Sequence, residues 1–343
     1  MFNLSMPSNF NKESILQYAE LNAKNQPNKV AETYGQMTIA EITASGRYNN
    51  VLPDIDLKKL ADYVIFSKKH GIGFNYTLNM ACLSDYEITN EGRAAIQKIV
   101  MELNDIGINT FTVALPVMIE IIQSLDKNAH IVASTICGID SPQTAMYYEK
   151  MGVSRMILDI DITRDFKTIK EIAAVFTGDL ELITNLSCLK GCPFKIFHYN
   201  SIAHSGSRTS NETSYYRKHC ARIKENDKLH LLKMNWIRPE DIHFYTKAGV
   251  SYFKFAGREL ISRKNPVKAA EYYLRGEYEG DLQQLLDLFQ DEKTYRYHLD
   301  NKALGGFTQT LWASGSECTG LCDLCSICTE YAEKALKRGK YTF

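Results

Sequence analysis

Four cysteines fall within eleven residues near the C-terminus: Cys318, Cys322, Cys325 and Cys328, spaced C-x3-C-x2-C-x2-C. A packed core calls for bulk and spaced apolar faces rather than four thiols on one short segment. Thiolates this crowded repel one another unless a cation or a cluster shares their charge. The spacing is too tight for four zinc-ribbon knuckles and close to the runs that hold iron–sulfur clusters. A second set lies upstream in Cys188-Leu-Lys-Gly-Cys192-Pro193. There a C-x3-C pair, with Gly191 and Pro193 shaping a tight turn, aims two sulfurs at one point. Cys220 lies 28 residues beyond Cys192, and the loop between can return it to the same place. Two ordinary loop thiols and a buried one are the plain alternative, but exposed unliganded thiols are reactive and unusual. Seven cysteines are therefore candidate ligands. They suit one four-thiolate 4Fe-4S cluster and one three-thiolate cluster with an open iron or a non-cysteine fourth ligand, or else loop and tail combine around a single cluster. Zinc is the rival metal, because thiolate counting does not separate it from iron.

Other residue types able to do chemistry surround these sulfurs. His198 and His204, six apart, could bind a metal or move protons, with loop histidines bonded to backbone as the alternative. Lys254-Phe-Ala-Gly-Arg258-Glu259 ends a strand-like run. Gly257 would let backbone N–H groups approach an anion, and Arg258 would clamp a carboxylate in bidentate fashion unless it pairs with Glu259. Ser45-Gly46-Arg47 offers another small-residue and arginine pairing, so Arg47 joins Arg258 as an anion anchor. Tyr215-Tyr216-Arg217-Lys218-His219 could stack an aromatic substrate or form a solvated helical face. Cys82 and Cys137 each follow a strand and read as packing thiols, with either open as a fourth ligand, while the acid pair Asp159 and Asp161 is a weak signal. No Ser-His-Asp order, G-x-S-x-G, H-E-x-x-H or Walker pattern occurs.

The elements that must position these groups alternate. Strand-like runs are Val30–Tyr34, Gly73–Asn79, Thr110–Leu115, His130–Ile136, Arg155–Ile160, Leu180–Asn185, Leu229–Met234 and Tyr252–Phe255. Helical patterns lie between them, including Leu57–Lys69, Glu91–Asp105, Val117–Ser124, Pro142–Met151, Phe166–Phe176, Pro239–Ala248 and Pro266–Leu274. Gly71, Gly107, Gly152 and Gly249 each stand where a left-handed C′ cap would. Eight strands alternating with helices read as parallel βα units that close an α/β (β/α)8 TIM-like barrel over residues 1–275. An open doubly wound sheet is the alternative, without a G-x-G-x-x-G fingerprint. Residues 186–228 form a polar insertion carrying the cysteine pair, and residues 276–343 a cysteine-rich C-terminal extension. The 343-residue chain has a net charge of zero and 45% hydrophobic residues, which indicates neither a nucleic-acid partner nor a membrane. Nine cysteines behind an N-terminus unlike a signal peptide point to a reducing, cytoplasmic setting.

Taken in order, Val30–Gly35 (VAETYG), Asn185–Pro193 (NLSCLKGCP), the His198/His204 loop with Cys220, Trp236–Asp241 (WIRPED), Tyr252–Arg258 (YFKFAGR) and the cysteine tail resemble the U32 peptidase family. Members are also called collagenase-like peptidases. The resemblance covers most of the chain and implies a (β/α)8 barrel with an oxygen-labile 4Fe-4S cluster. It further implies oxygen-independent hydroxylation of a small-molecule, RNA or peptide substrate, with prephenate as an oxygen donor in some branches. A metal-dependent peptidase, or a non-catalytic iron–sulfur scaffold working with an electron donor or partner protein, are the other expected activities. In the hydroxylase branches a cysteine precedes the final barrel strand, where this chain reads Asn235-Trp236-Ile237-Arg238. The fourth ligand of the loop cluster must then come from elsewhere, and the tail is the natural source.

Overall fold

A computed structural model describes residues 1–39, 46–47, 51–204, 215–313, 318 and 321–338. Eight parallel strands close a barrel in chain order: β1 (Asn3–Pro7), β2 (Lys29–Gly35), β3 (Gly73–Leu78), β4 (Thr110–Val113), β5 (His130–Ala133), β6 (Arg155–Ile157), β7 (Asp179–Ile183) and β8 (Val250–Lys254). The seam is sealed by β1, whose Asn3, Leu4 and Ser5 pair with Tyr252, Phe253 and Lys254 of β8. Helices α1 (Lys12–Lys24), α2 (Leu57–Lys69), α3 (Asn90–Asp105), α4 (Pro116–Leu125), α5 (Pro142–Lys150) and α6 (Phe166–Val175) follow the first six strands. Their starts are chemically marked. Asn11, Asp56, Thr89, Ser141 and Asp165 each cap an N-terminus by accepting a backbone N–H. Gly71, Gly107, Gly152 and Gly249 all have positive φ, as their places after helices require.

The expected strand count is right, but its membership is not. Leu229–Met234 is not a strand: it contains the short helix α9 (His230–Lys233), reached after α7 (Lys195–His204) and α8 (Tyr215–Asn226). Its apolar run packs inward as a helical turn, with Leu232 fully buried. The missing strand is β1, a five-residue run too short to stand out beside the helical pattern that follows. The runs after β5 and β6 stop early, giving way to single 3₁₀ turns at Thr135–Cys137 and Ile160–Ile162.

Beyond β7, helix α10 (Ile242–Lys247) leads into β8, and α11 (Pro266–Arg275) follows it. The extension comprises α12 (Leu282–Leu286), β9 (Tyr297–Leu299), α13 (Phe307–Ala313), α14 (Ile327–Ala335) and β10 (Leu336–Arg338), with β9 and β10 antiparallel. Its described residues share the barrel's core: Leu282, Leu285, Leu299, Leu304 and Phe307 are fully buried in the same continuous apolar cluster. The Trp236–Asp241 segment is the dock. Asp241 takes Nε and Nη2 of Arg238 at 2.8 and 2.9 Å and the hydroxyl of Thr308 at 2.6 Å, and Arg238 Nη1 reaches the Asn301 carbonyl at 2.9 Å. Trp236 packs against Phe307 of α13, the two rings tilted. Among the described residues no helix is long and apolar enough to cross a membrane.

Instead of layers of branched aliphatics, the barrel interior holds a charged network. Glu32 of β2 receives Arg155 Nη2 from β6 on both oxygens at 2.8 Å, plus Ser5 at 2.8 Å and Asn75 at 3.0 Å. Arg155 Nε lies 3.2 Å from Glu181 of β7, and Lys254 Nζ of β8 lies 3.8 Å from the same carboxylate. All four side chains are buried. The two acids diverge for a visible reason. Burial pushes both up, but hydrogen bonds and Arg155 hold Glu32 below its ordinary range, whereas Glu181, with no hydrogen-bonded oxygen, stays raised. Burial also lowers Lys254 from 10.5 to about 8, against the pull of Glu181. The unfolded chain therefore holds the extra proton between pH 8 and 10.5, so this lysine makes stability rise with pH across that window. Comparing wild type with Lys254→Met by urea unfolding, the difference should move in favour of wild type from pH 7.5 to 9.5. A difference that stays constant across that range would contradict the burial assigned to Lys254.

Candidate functional site

At the C-terminal mouth of the barrel, the loop leaving β7 is pinned before it reaches its cysteines. Asn185 accepts the Ala256 N–H at 2.7 Å and donates to the carbonyls of Ala256 and Leu286 at 2.8 Å each, joining the ends of β7 and β8 to α12. Farther along, Gly191 turns with φ +60 and donates its N–H to Asp161 at 2.9 Å. Lys195, in the first turn of α7, binds Asp159 at 2.7 and 2.8 Å and Asp161 at 2.7 Å. The acid pair past β6 thus anchors the C-x3-C turn over the barrel mouth. From α8, Lys224 reaches back to the Ser187 carbonyl at 2.8 Å.

This frame gathers three thiols. Cys188, Cys192 and Cys220 are each half-buried. Burial pushes Cys188 up to about 11; Cys220 and Cys192 add to the rise by repulsion, while Lys224 and Arg47 pull against it. Tyr199 on α7 is also held protonated, by burial and by Cys188. His198 is lowered by burial and by Arg47 and Arg217, so at neutral pH its ring carries no charge. It shares the influence of Arg47 with Cys188. His204 does not: it sits exposed in the last turn of α7. Six helical residues carry it about 9 Å along the axis and off the face of His198. Tyr216 and His219 pack on His198 and Phe194 across the α7–α8 interface, which leaves Tyr215 as the exposed ring of that run.

Both arginines reach the mouth, already partnered. Arg47 forms an ion pair with Glu259 and donates to the Gly46 carbonyl at 2.8 Å. Arg258 is buried; its Nη1 donates to Gln36 Oε1 and to Thr77 Oγ1, the latter at 2.7 Å. The alternative of an Arg258–Glu259 ion pair is not what forms: Glu259 pairs with Arg47 instead. Burial, with Arg47 close by, lowers Arg258 to about 10. A cavity of about 10 Å³ beside Arg258, lined also by Ser8, Gly35 and Gln36, has room for little more than one water. Gly257 is required by close approach, since a Cβ there would meet Leu288 Cδ1 at 2.7 Å at a φ of +136. A cleft of about 500 Å³ between α10 and the extension is lined by none of the cysteines.

The tail thiols form a separate neighbourhood. The charges that weigh most on Cys328 are Arg164, Cys318, Cys322 and Cys325, and burial pushes it up. Those that weigh most on Cys188 are Lys224, Cys220, Arg47 and Cys192. Cys318 and Cys328 rest against the apolar core, and Cys325 is exposed. As placed, no three His, Cys, Asp or Glu side chains among the described residues stand close enough to hold a metal ion. Cys82 and Cys137 are half-buried packing thiols. Cys137 donates toward the carbonyls of Ala114 and Val113 at 3.4 and 3.6 Å, and burial raises it to about 11.

Asn235, which opens the Asn235–Arg238 stretch ahead of the last barrel strand, is fully buried. Neither its Oδ1 nor its Nδ2 has a hydrogen-bond partner. Sequence reading passed over the interior charges as well. Glu32 and Glu181 stand inside runs read as buried strands, and that mismatch was the available signal.

Fold and site together define a (β/α)8 barrel with a thiol-bearing loop folded over its mouth. The model of peptidase family U32 matches residues 44–273, and the chain belongs to that family. It is 30% identical, over 98% of its length and 99% of the relative's, to an uncharacterized protease of Methanocaldococcus jannaschii. The solved structure of the U32 peptidase Mk0906 superposes with a TM-score of 0.52 at 13% identity, covering 76% of this chain and 94% of that one. At that identity the superposition speaks for the shared fold.

Proposed function

We propose that Cys188, Cys192 and Cys220 hold a 4Fe-4S cluster at the barrel mouth and that the protein carries out oxygen-independent modification, of the hydroxylation type, on a carboxylate-bearing substrate. What supports this reading is that Cys220, Cys192 and Arg47 all act on the buried Cys188 thiol, and that Arg47 also acts on His198. Soft thiolate donors suit iron–sulfur or zinc and disfavour hard cations. Three of them leave a fourth position for a non-cysteine group or for substrate. When bound, such a cluster supplies Lewis acidity or one-electron transfer.

The chain's own residues define the rest. On their side of the mouth Arg47 and Arg258 outnumber Glu259, and that local positive charge would orient an anion such as prephenate. His198 is ready to accept a proton at a ring nitrogen, and Tyr199 keeps its O–H to donate. The aromatic contacts between α7 and α8 restrict water on one side. The rival activity is the protease named for the relative. A zinc peptidase needs free histidine and carboxylate ligands with an open position. Here Lys195 grips both Asp159 and Asp161, and His204 lies off the face of His198.

Anaerobic purification followed by iron, sulfide and zinc analysis separates the two. A brown protein with matched iron and sulfide is expected, with Cys188→Ala losing the mouth's share of that iron. A colourless, zinc-loaded protein that cleaves peptides in air would overturn the proposal.

A further inference from the structure

Arg258 is a buried cation whose hydrogen-bond partners are all neutral. Its side chain is 5% exposed, and Nη1 donates only to Gln36 Oε1 and Thr77 Oγ1. Glu259, the next residue, is engaged by Arg47 instead, and among the described residues no carboxylate pairs with Arg258. Of these two charged neighbours Arg47 weighs on it more than Glu259 does. A guanidinium placed this way is costly unless an anion compensates it. A second observation points to the same spot. Thr77 Oγ1 receives Arg258 at 2.7 Å and donates to Gln36 Oε1 at 2.9 Å, which closes a ring of three groups and fixes the amide with its oxygen toward the guanidinium. Gln36 Nε2 is then turned away from both. It is buried, on a side chain as little exposed as Arg258, and has no hydrogen-bond partner among the described residues. An unmet buried donor is costly as well.

Arg258 and Gln36 both line the cavity of about 10 Å³ that lies at the ends of β1 and β2, and none of its lining residues is an acid. Phe10 walls it closely, since a Cβ on Gly35 would lie 2.8 Å from the Phe10 ring. Phe10 itself is held at φ +54, backbone that a bulky residue rarely adopts, with its N–H on Ser8 Oγ at 3.1 Å. The volume suits one water or one monatomic ion and excludes phosphate or sulfate. Water would satisfy the Gln36 amide and leave the charge of Arg258 uncompensated, whereas a halide answers both. We propose that this cavity binds one monovalent halide, chloride under ordinary conditions, between the Arg258 guanidinium and Gln36 Nε2. The inference requires neither the cluster nor the carboxylate substrate. It does bear on them, because a bound halide offsets part of the positive charge that Arg47 and Arg258 present. Chloride should therefore weaken the binding of an anionic substrate at this side of the mouth.

The test uses the full chain, with bromide as the probe in crystals because it scatters anomalously. Wild-type crystals grown in sodium bromide should show an anomalous peak between Arg258 and Gln36. No anomalous signal at that position, whether or not a water is found there, overturns the proposal, as do bromide peaks confined to the protein surface. A solution measurement stands beside it. Urea unfolding is followed at constant ionic strength while chloride replaces gluconate, which is too large for the cavity. Once chloride exceeds its dissociation constant, each tenfold rise should shift the folding equilibrium about tenfold toward the native state. Gln36→Glu separates the site from a general salt effect, because its carboxylate supplies the counter-anion from within the chain. That variant should be more stable than wild type in gluconate and indifferent to chloride. Equal chloride dependence in wild type and Gln36→Glu, or none in wild type, would sink the halide site. If Gln36→Glu does not fold, the bromide crystals of the wild type still decide.

Discussion

Replacing Arg155 with methionine is expected to lower folding stability by about 3–5 kcal/mol at neutral pH, the usual range when one partner of a buried ion pair is removed. The substitution strips Glu32 of its bidentate partner and leaves Glu181 facing only Lys254 at 3.8 Å. Lysine should not restore the loss, because a single ammonium cannot bridge Glu32 and Glu181 as the guanidinium fork does. The deficit has a pH signature. Glu32 is held below its ordinary pKa, so its contribution is present above the unfolded value near 4.5 and is lost as pH falls through the folded one. Wild type and variant should therefore converge in acid. Urea unfolding at pH 7 and below pH 4.5 measures both effects, and a deficit under about 1 kcal/mol at pH 7 would mean that the interior charges are spectators.

The second large effect belongs to Asp241→Ala. This carboxylate accepts two hydrogen bonds from Arg238 and one from Thr308, and Arg238 also holds the Asn301 carbonyl of the extension. Its removal leaves a buried guanidinium unpaired, again at about 3–5 kcal/mol. The damage should be local as well as global, with residues 276–338 becoming open to limited proteolysis while the barrel resists. The pair Arg238→Met with Asp241→Leu should recover much of the loss, since a well-packed apolar pair often matches a buried ion pair. Equal resistance of wild type and Asp241→Ala to proteolysis would show that the apolar contacts of Trp236, Leu304 and Phe307 hold the extension unaided.

The alternation of strand and helix was legible because parallel strands buried on both faces read as apolar runs and because caps and C′ glycines punctuate them. Helix α2 follows the periodicity residue for residue, and α3, α5 and α6 differ at their ends by one. Leu229–Met234 was misread because a four-residue helical turn and a short buried strand share the same apolar density, and only tertiary packing separates them. At the site, Cys188, Cys192 and Cys220 were readable because sulfur spacing is chemically specific. The exchange of partners that gives Glu259 to Arg47 was not, because it depends on which loop returns over β8.

The seam between β1 and β8 has a consequence for biosynthesis. Residues 3–5 cannot find their partners until residues 252–254 have been made and have left the ribosome. Until then the growing sheet has two unsatisfied edges, β1 and whichever strand was made last, and each can recruit a neighbouring chain. The cysteine loop, at 186–228, emerges during that interval, before the mouth it will cover exists. A nascent chain of this protein therefore displays its sulfurs and its open sheet edges at the same time, and aggregation and premature oxidation should rise together when translation pauses before β8.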